Sequence, residues 1–323
     1  MAKSIFFLFL LLIFSLVVLS NTQSYDKSFK PVIAIYGNSN PENGDTYVNG
    51  TYYPLSYIYW LESVGAEVMA IHYWYPFDVI DEILNKVNGV LFLGGDRSFH
   101  KDGVWEIKAK YIMDQALLIE LPIWGTCQGF QLIGVLMSDN YNSLLKNGFT
   151  DSNELHGLEI TEKAKSSKMF KYFSQKDYNI LKNGNSTIYN HRFGFYPEDF
   201  YKEEILNELF VVTSISEDIK GLKFIDTFEG KYDKIKIYAV QFHPEKNPFK
   251  RYGYSVEQNI DSLLVSQKLA MGFIDEAIKN KNRFDSSVNN EGDRAQFDFF
   301  NTYQGTPNGY ISNDIYYFSK KEE

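Results

Sequence analysis

A single cysteine follows a short apolar run and is flanked by small residues. Cys127 lies within residues 122–131 (PIWGTCQGFQ), between Gly125 and Gly129. This layout is typical of a nucleophile elbow, a sharp turn from a strand into a helix that exposes a reactive side chain. The glycines allow strand and helix to approach closely, and the helix dipole would stabilise a thiolate at its N-terminus. The spacing therefore indicates covalent catalysis by a thiol.

Backbone amides near this cysteine could stabilise an oxyanion. Gln128 is the first residue of the predicted helix, and its N–H would point toward a charge that develops beside the thiol. Gly94 and Gly95 end the preceding predicted strand and can add a second donor from the neighbouring loop. An ordinary tight turn is the alternative interpretation of this Gly-Gly pair.

A thiol nucleophile needs a base. The chain contains five histidines, namely His72, His100, His156, His191 and His243. His243 follows a predicted strand and precedes Pro244 and Glu245. Residues two apart in an extended segment lie on one side, so Glu245 can orient the imidazole of His243 and stabilise its cation. We therefore predict a catalytic set of Cys127, His243 and Glu245, although a lone histidine after a strand is more often structural.

Short apolar runs alternate with segments of helical spacing, which predicts an α/β protein with a mainly parallel sheet. The predicted strands cover residues 31–36, 68–71, 89–93, 123–124 and 236–242. The predicted helices cover residues 56–64, 78–87, 105–118 and 259–279. Residues 37–53 are expected to form a long loop at the carboxyl edge of the sheet, where α/β sites form. Mixed short strands are expected beyond residue 134, and no periodicity is evident in residues 280–323.

The N-terminus has the features of a secretory signal. Lys3 precedes a run of apolar residues from 5 to 19 that is broken only by Ser15. This run is shorter than the ~20 residues that span a bilayer, although an uncleaved signal anchor stays open. We predict a signal peptide over residues 1–20, a catalytic domain over 21–285 and a C-terminal extension over 286–323. Glycosylation sequons at Asn49 and Asn185 fit passage through the secretory pathway, to the outside or to a lysosome or vacuole.

Composition excludes several classes of function. The chain has 32 Lys and Arg against 41 Asp and Glu, a net charge of −9, and an isoelectric point near 5.2. Nucleic-acid binding is therefore not expected. A single cysteine builds no disulfide or thiolate metal cluster, and the histidines lack metal-ligand spacing. We predict no metal, no organic cofactor and a small-molecule substrate, and we leave a homodimer open.

The elbow, together with residues 241–246 (QFHPEK), resembles the class I glutamine amidotransferase-like superfamily, and the γ-glutamyl hydrolase family in particular. Supporting matches lie in residues 31–35, 56–66 and 88–95. The resemblance implies a three-layer α/β/α sandwich of flavodoxin-like type. It also implies a cysteine hydrolase that cleaves the γ-glutamyl bonds of folate poly-γ-glutamates. In that activity Cys127 attacks the γ-carbonyl, His243 transfers protons and water resolves a thioester.

The same resemblance suggests residues that contact substrate. His191 matches a second histidine in the family's substrate cleft, and a surface-loop histidine is the alternative. Tyr52 matches a tyrosine near the substrate's glutamyl end, although Tyr53 could take that place. Gln131 stands where animal γ-glutamyl hydrolases carry Glu, just as Gln128 replaces a Leu. Gln131 either holds the substrate's amino-acid end, as in the amidotransferases, or packs within its helix.

Arg97 follows the Gly-Gly pair by two residues. A planar guanidinium suits a substrate carboxylate, and a solvated loop arginine is the alternative.

Two other functions stay open. The first is a glutaminase of amidotransferase type, which would need a synthase partner to use the ammonia. The second is a protein that binds γ-glutamyl compounds without cleaving them.

Overall fold

The computed structural model describes residues 29–39, 50–184, 186–248, 259–284, 297–300, 309–312 and 315–319. The predicted signal peptide and the sequon residues Asn49 and Asn185 lie outside these ranges. Contacts group residues 31–323 into one compact unit. Within the described ranges, no helix is both long and apolar enough to cross a membrane.

The strands fall into one large sheet and two small ones. In chain order the strands are β1 (Val32–Tyr36), β2 (Asn38–Ser39), β3 (Gly50–Pro54), β4 (Glu67–Ile71), β5 (Gly89–Phe92), β6 (Ile123–Thr126), β7 (Lys146–Leu155), β8 (Glu159–Ile160), β9 (Ile188–Gly194), β10 (Phe210–Glu217), β11 (Lys223–Gly230), β12 (Ile237–Val240), β13 (Gly309–Ser312) and β14 (Ile315–Ser319). The helices are α1 (Leu55–Glu62), α2 (Phe77–Leu84), α3 (Val104–Leu118), α4 (Gln128–Ser138), α5 (Gln175–Lys182), α6 (Pro197–Lys202), α7 (Glu204–Leu209) and α8 (Ile260–Ile278). Short 3-10 helices cover Glu162–Ser166 and Pro244–Lys246.

The large sheet has eight strands in the order β4-β1-β5-β6-β12-β11-β10-β8. The pairs from β4 to β12 are parallel, whereas β11, β10 and β8 extend the sheet antiparallel. When the five parallel strands are numbered along the chain, their order across the sheet is 2-1-3-4-5, which is the flavodoxin-like order. The predicted α/β class and mainly parallel sheet are therefore confirmed.

Helices cover both faces of the parallel strands. All five residues of β1 are buried, as expected for a central strand in a sheet that is covered on both sides. Alternate side chains of β1 enter two separate apolar clusters. One cluster includes Ile80 of α2 and Ile112 of α3. The other includes Ile58 of α1 and Phe273 of α8. This is the expected three-layer sandwich.

Two segments that lack a clear sequence pattern form strands. The region expected to be a long loop contains β2 and β3, and the C-terminal region contains β13 and β14. These four strands make a separate antiparallel sheet in the order β13-β14-β3-β2. Each is short, and β14 pairs with a strand more than 260 positions earlier in the chain. Pairing over that distance leaves little local signal in either segment.

The C-terminal strand contributes aromatic side chains to the core. Tyr316 and Phe318 of β14 are buried, whereas Tyr317 between them is only half-buried. The Tyr316 ring lies 5.2 Å from that of Phe300, and the Phe318 ring lies 5.6 Å from that of Tyr53. Alternation along β14 therefore directs one face of this strand into the same core that α1 and α8 cover.

We expect the two neighbouring tyrosines of β14 to differ in their effect on stability. Tyr316→Ala should lower the free energy of unfolding by about 3 kcal/mol, since it removes a fully buried aromatic ring. Tyr317→Ala, the matched control on the opposite face, should cost less than about 1 kcal/mol. Urea denaturation of the full chain measures both values. Equal losses in the two variants would contradict the packing of the C-terminal strand described above.

Candidate active site

The cysteine lies at a sharp turn between β6 and α4. Cys127 has φ 51° and ψ −105°, a backbone conformation that a residue with a side chain rarely adopts. Its N–H donates to the Val240 carbonyl at 2.8 Å. A Cβ on Gly129 would collide with the carbonyl oxygen of Phe92, and one on Gly125 would lie 2.8 Å from the Gly129 carbonyl oxygen. The structure therefore has the predicted elbow, with glycines where the backbones meet.

The histidine and glutamate are adjacent to this cysteine. His243 follows β12, and its Nδ1 lies 2.8 Å from Glu245 Oε1. Glu245 is fully buried, and the His243 N–H donates to the Ile188 carbonyl of β9 at 2.9 Å. Pro244–Lys246 forms a 3-10 turn, so the prediction that this segment is extended is wrong. The turn nevertheless brings the carboxylate to the imidazole.

The charged form of His243 is favoured. Burial lowers the pKa of this imidazole, and the Lys246 ammonium acts in the same direction. The Glu245 carboxylate and the neighbouring Cys127 side chain outweigh both and raise the pKa of His243 above its ordinary value of 6.5. A histidine with a raised pKa is a better acceptor for the proton of a neighbouring thiol.

A tyrosine not predicted from the sequence contacts the same groups. Tyr57, in the first turn of α1, accepts a hydrogen bond from the Gly94 N–H at 3.0 Å and is buried close to Glu245. Burial, followed by the charge of Glu245, raises the pKa of Tyr57 well above its usual value. The phenol therefore stays protonated. Tyr57 lies at the start of a helix, at the carboxyl edge of the sheet. That position is the sequence signal that could have indicated Tyr57 as a residue of the site.

The predicted oxyanion donors are not equivalent. The Gly94 N–H already donates to the Tyr57 hydroxyl. It is therefore not available to the substrate, contrary to the prediction. In the described part of the chain the Gly95 N–H has no hydrogen-bond partner, and Gln128 is the first residue of α4, whose N–H has no acceptor within the helix. Of the three predicted donors, the amides of Gly95 and Gln128 are therefore the two without a hydrogen-bond partner in the described part of the chain.

A cleft of about 790 Å³ opens over these groups. Every catalytic, oxyanion and substrate-binding residue predicted from the sequence lines it: Tyr52, Gly94, Gly95, Arg97, Cys127, Gln128, Gln131, His191, His243 and Glu245. Ile315 of the C-terminal strand lines it as well. The tertiary structure thus brings together residues from six separate regions of the sequence.

Of the two candidate tyrosines on β3, only the first faces the cleft. Tyr52 is half-buried there, and burial, assisted by Asp96, raises the pKa of its phenol to about 12. Tyr53 is fully buried and donates to the Ile71 carbonyl at 2.9 Å. Residues one apart on a strand point to opposite faces, which explains why neighbouring tyrosines differ.

Arg97 and Gln131 are both held by neighbouring elements. Arg97 is half-buried, donates to the Ser39 hydroxyl and lies 5.3 Å over the Trp105 ring. It is therefore not a solvated loop arginine. Gln131 Nε2 donates to the Phe193 carbonyl at 2.8 Å and to Gln241 Oε1 at 3.1 Å. These bonds leave α4 and reach β9 and the end of β12, so Gln131 does more than pack within its helix.

His191 is part of the wall of the cleft. It lies in β9 and is 5% exposed, which excludes the surface-loop alternative. Its Nδ1 donates to the Phe193 carbonyl at 2.9 Å, and its Nε2 lies 3.1 Å from Asp151 Oδ2. Both ring nitrogens thus face protein oxygens. Nε2 is buried but makes no hydrogen bond within the described part of the chain.

The cleft carries more positive than negative charge, although the chain is acidic. Arg97, Arg192 and Lys246 line it, and Arg192 is exposed. The lining carboxylates are Asp96 and Glu245, and the second is bound to His243. An anionic ligand is therefore favoured here.

Comparison with known proteins identifies the family of this chain. The class-I glutamine amidotransferase family model matches residues 50–260. The gamma-glutamyl hydrolase of Rattus norvegicus is 32% identical over 87% of this chain and 88% of its own. That of Mus musculus is 33% identical over 74% and 75%, and gamma-glutamyl hydrolase B of Dictyostelium discoideum is 30% identical over 79% and 74%. The chain belongs to the gamma-glutamyl hydrolase family within the class I glutamine amidotransferase superfamily.

Proposed function

We propose that this protein is a cysteine hydrolase that cleaves the γ-glutamyl bonds of folate poly-γ-glutamates. The observation that carries the proposal is the placement of Cys127 beside His243, which is bound to Glu245, at the base of a positively charged cleft. The relatives named gamma-glutamyl hydrolase support the choice of the γ-glutamyl bond as the one that is cleaved. We also propose that the protein acts along the secretory pathway, as the predicted signal and sequons suggest.

Acylation begins with proton transfer from the Cys127 thiol to His243. The thiolate attacks the γ-carbonyl carbon, and the carbonyl π electrons move to oxygen to form a tetrahedral oxyanion. The amides of Gly95 and Gln128 donate to that oxyanion. As the oxyanion collapses, the C–N bond breaks and the His243 imidazolium protonates the departing α-amino group. The product of this step is a γ-glutamyl thioester on Cys127.

Deacylation uses the same groups in reverse. Neutral His243 takes a proton from water while the water oxygen attacks the thioester carbonyl. Collapse of the second tetrahedral species breaks the C–S bond, the His243 imidazolium returns its proton to the departing Cys127 sulfur, and a free γ-carboxylic acid is released. Glu245 holds the His243 ring in place during both steps through the 2.8 Å contact at Nδ1. Overall one water is consumed, and one amine and one carboxylic acid are released.

The cleft charge fits a substrate with many carboxylates. A poly-γ-glutamate keeps one free α-carboxylate on every residue of its tail, and guanidinium groups pair well with carboxylates. Free glutamine has a single carboxylate and cannot engage several cations at once. The lining cations Arg97, Arg192 and Lys246 therefore favour the polyglutamate over the amide of a free amino acid.

Cys127→Ala should abolish turnover while leaving the fold intact, since the substituted side chain is small and buried. The measurement is glutamate release from a pteroyl poly-γ-glutamate at pH 5 to 7, with free glutamine as the control substrate. Cleavage of polyglutamate that is lost in the variant supports the proposal. Turnover of glutamine alone would identify a glutaminase, and turnover of neither substrate would identify a binding protein.

Glu245→Gln should shift the pH dependence in a defined direction. Glu245 raises the pKa of His243, so its removal lowers that pKa and the imidazolium is lost at a lower pH. The alkaline limb of the kcat/KM profile should therefore move to lower pH, with a loss of about tenfold or more at the optimum. Initial rates from pH 4 to 9 on the two proteins measure this. An alkaline limb that stays in place would contradict the assigned role of the carboxylate.

Arg192→Ala should weaken substrate binding through lost charge. KM for a long polyglutamate should rise about twofold to fivefold, as expected for one exposed ion pair, and kcat should change little. The increase should shrink at high salt, which screens such pairs. Arg283→Ala is the matched control, since Arg283 is exposed and does not line the cleft. A similar rise in KM in both variants would show that net charge, and not this position, matters.

A further inference from the structure

One face of the small sheet β13-β14-β3-β2 is turned away from the core. Tyr53 of β3 and Tyr316 of β14 are fully buried, and the two strands pair at these residues. Side chains one position away along a strand point to the opposite face. Tyr52, Pro54 and Ile315 therefore lie on the face that the core does not cover, and all three line the cleft. The reaction steps above use none of them.

Pro54 and Ile315 form an apolar surface on this face. The two residues are directly opposite in the antiparallel register, so their side chains are neighbours. Ile315 is half-buried, and within the described part of the chain it packs with neither apolar cluster of the core. The lining residues Phe99 and Leu145, in contrast, pack against one of those clusters. The Ile315 side chain is therefore one that a ligand can cover.

Tyr52 extends this surface, since residues two apart on a strand share a face. Burial, assisted by Asp96, raises the pKa of its phenol to about 12, so the side chain is neutral at neutral pH. Asp96 and Arg97 adjoin the phenol with opposite charges. We refer to Tyr52, Pro54 and Ile315 as the apolar wall, because none of the three carries a charge.

The C-terminal region that carries Ile315 is also bonded to the large sheet. The Ala70 N–H of β4 donates to the Asp298 carbonyl at 2.9 Å, and the Phe300 N–H donates to the Val68 carbonyl at 3.1 Å. The Tyr75 hydroxyl donates to Asp298 Oδ2 at 2.5 Å. The chain before β14 is thus attached to the edge of the large sheet, and β14 itself is paired with β3. These two attachments fix the apolar wall relative to the cleft.

The chemistry of the wall favours an apolar part of a ligand. The anionic tail of a poly-γ-glutamate suits the cations Arg192 and Lys246, which line the same cleft. The pteroyl group at the other end of such a substrate is flat, aromatic and without carboxylates. An aromatic ring that covers aliphatic and tyrosine side chains removes apolar area from water on both partners. The choice of this ligand group rests on the proposed function.

We propose that the apolar wall is a subsite for the aryl group of the substrate, and that Ile315 is a specificity-determining residue. The protein then prefers a γ-glutamyl chain that carries an aryl cap over one that does not. The preference should appear in KM and not in kcat, because the wall supplies no group to the reaction steps and binds substrate and transition state alike.

The kinetic test compares pteroyl tri-γ-glutamate with N-acetyl tri-γ-glutamate. The two substrates have the same carboxylates and the same γ-glutamyl bonds, and they differ only in the cap. Ile315→Ser should raise KM for the pteroyl substrate about threefold to tenfold, through lost apolar contact, and leave KM for the acetyl substrate unchanged. Ile315→Val keeps an aliphatic side chain and should retain most of the preference. An equal rise in KM for both substrates in Ile315→Ser would overturn the proposal.

Tyr317→Ser is the matched control, since Tyr317 lies on the same strand and the same face but does not line the cleft. KM for both substrates should change little in this variant. A rise for the pteroyl substrate as large as that in Ile315→Ser would show that packing of the strand, and not a contact by Ile315, sets the value.

A binding measurement separates this proposal from the proposed function. Pteroylmonoglutamate and N-acetylglutamate contain no γ-glutamyl bond, so each can be titrated calorimetrically into the unsubstituted protein. Pteroylmonoglutamate should bind more tightly, and Ile315→Ser should remove most of the difference. Equal affinities in the unsubstituted protein would overturn the aryl subsite, even where Ile315→Ser does not fold. If no polyglutamate is cleaved, the proposed function fails, whereas this comparison still decides the subsite.

Discussion

The site depends on one close backbone contact, where the first turn of α4 meets the end of β5. Gly129 lies against the Phe92 carbonyl so closely that no side chain fits. This contact forces the chain to turn within one residue, and Cys127 takes the strained conformation at that turn. The thiol thereby lies at a helix N-terminus and faces the carboxyl edge of the sheet. The energy of the strain is offset by packing of the apolar side of α4 against the core.

Strand β9 supports the rest of the catalytic set. Its backbone carbonyls accept from the His243 amide, the Cys127 thiol and the Gln131 amide, at Ile188, Asn190 and Phe193 respectively. The small sheet of β7 and β9 therefore fixes nucleophile, base and neighbouring amide relative to one another. A displacement of this strand would alter all three contacts together. The Asp151 carboxylate of the adjacent strand β7 is buried beside His191 of β9.

The opposite side of the cleft is formed by chain segments that are distant in sequence. Tyr52 on β3 and Ile315 on β14 both line it, and their strands pair directly. The C-terminal strand is thus part of the substrate site as well as of the core. Neutral phenols dominate this side, since burial raises the pKa values of Tyr52 and Tyr57. Asp96 and Arg97 adjoin this side as well, since both act on the Tyr52 phenol and Arg97 donates to Ser39 of β2.

The sequence by itself determined the parallel sheet, the elbow and its histidine partner. Those features depend on short-range spacing: Cys127 between two glycines, and His243 two residues from Glu245. Only the tertiary structure decided that Tyr57 occupies the Gly94 amide, that β14 pairs with β3, and that Asp151 faces His191. Each of these contacts joins residues about 35 to more than 260 positions apart. Packing of whole elements creates them, and no local pattern of residue types records which distant neighbour a side chain will meet.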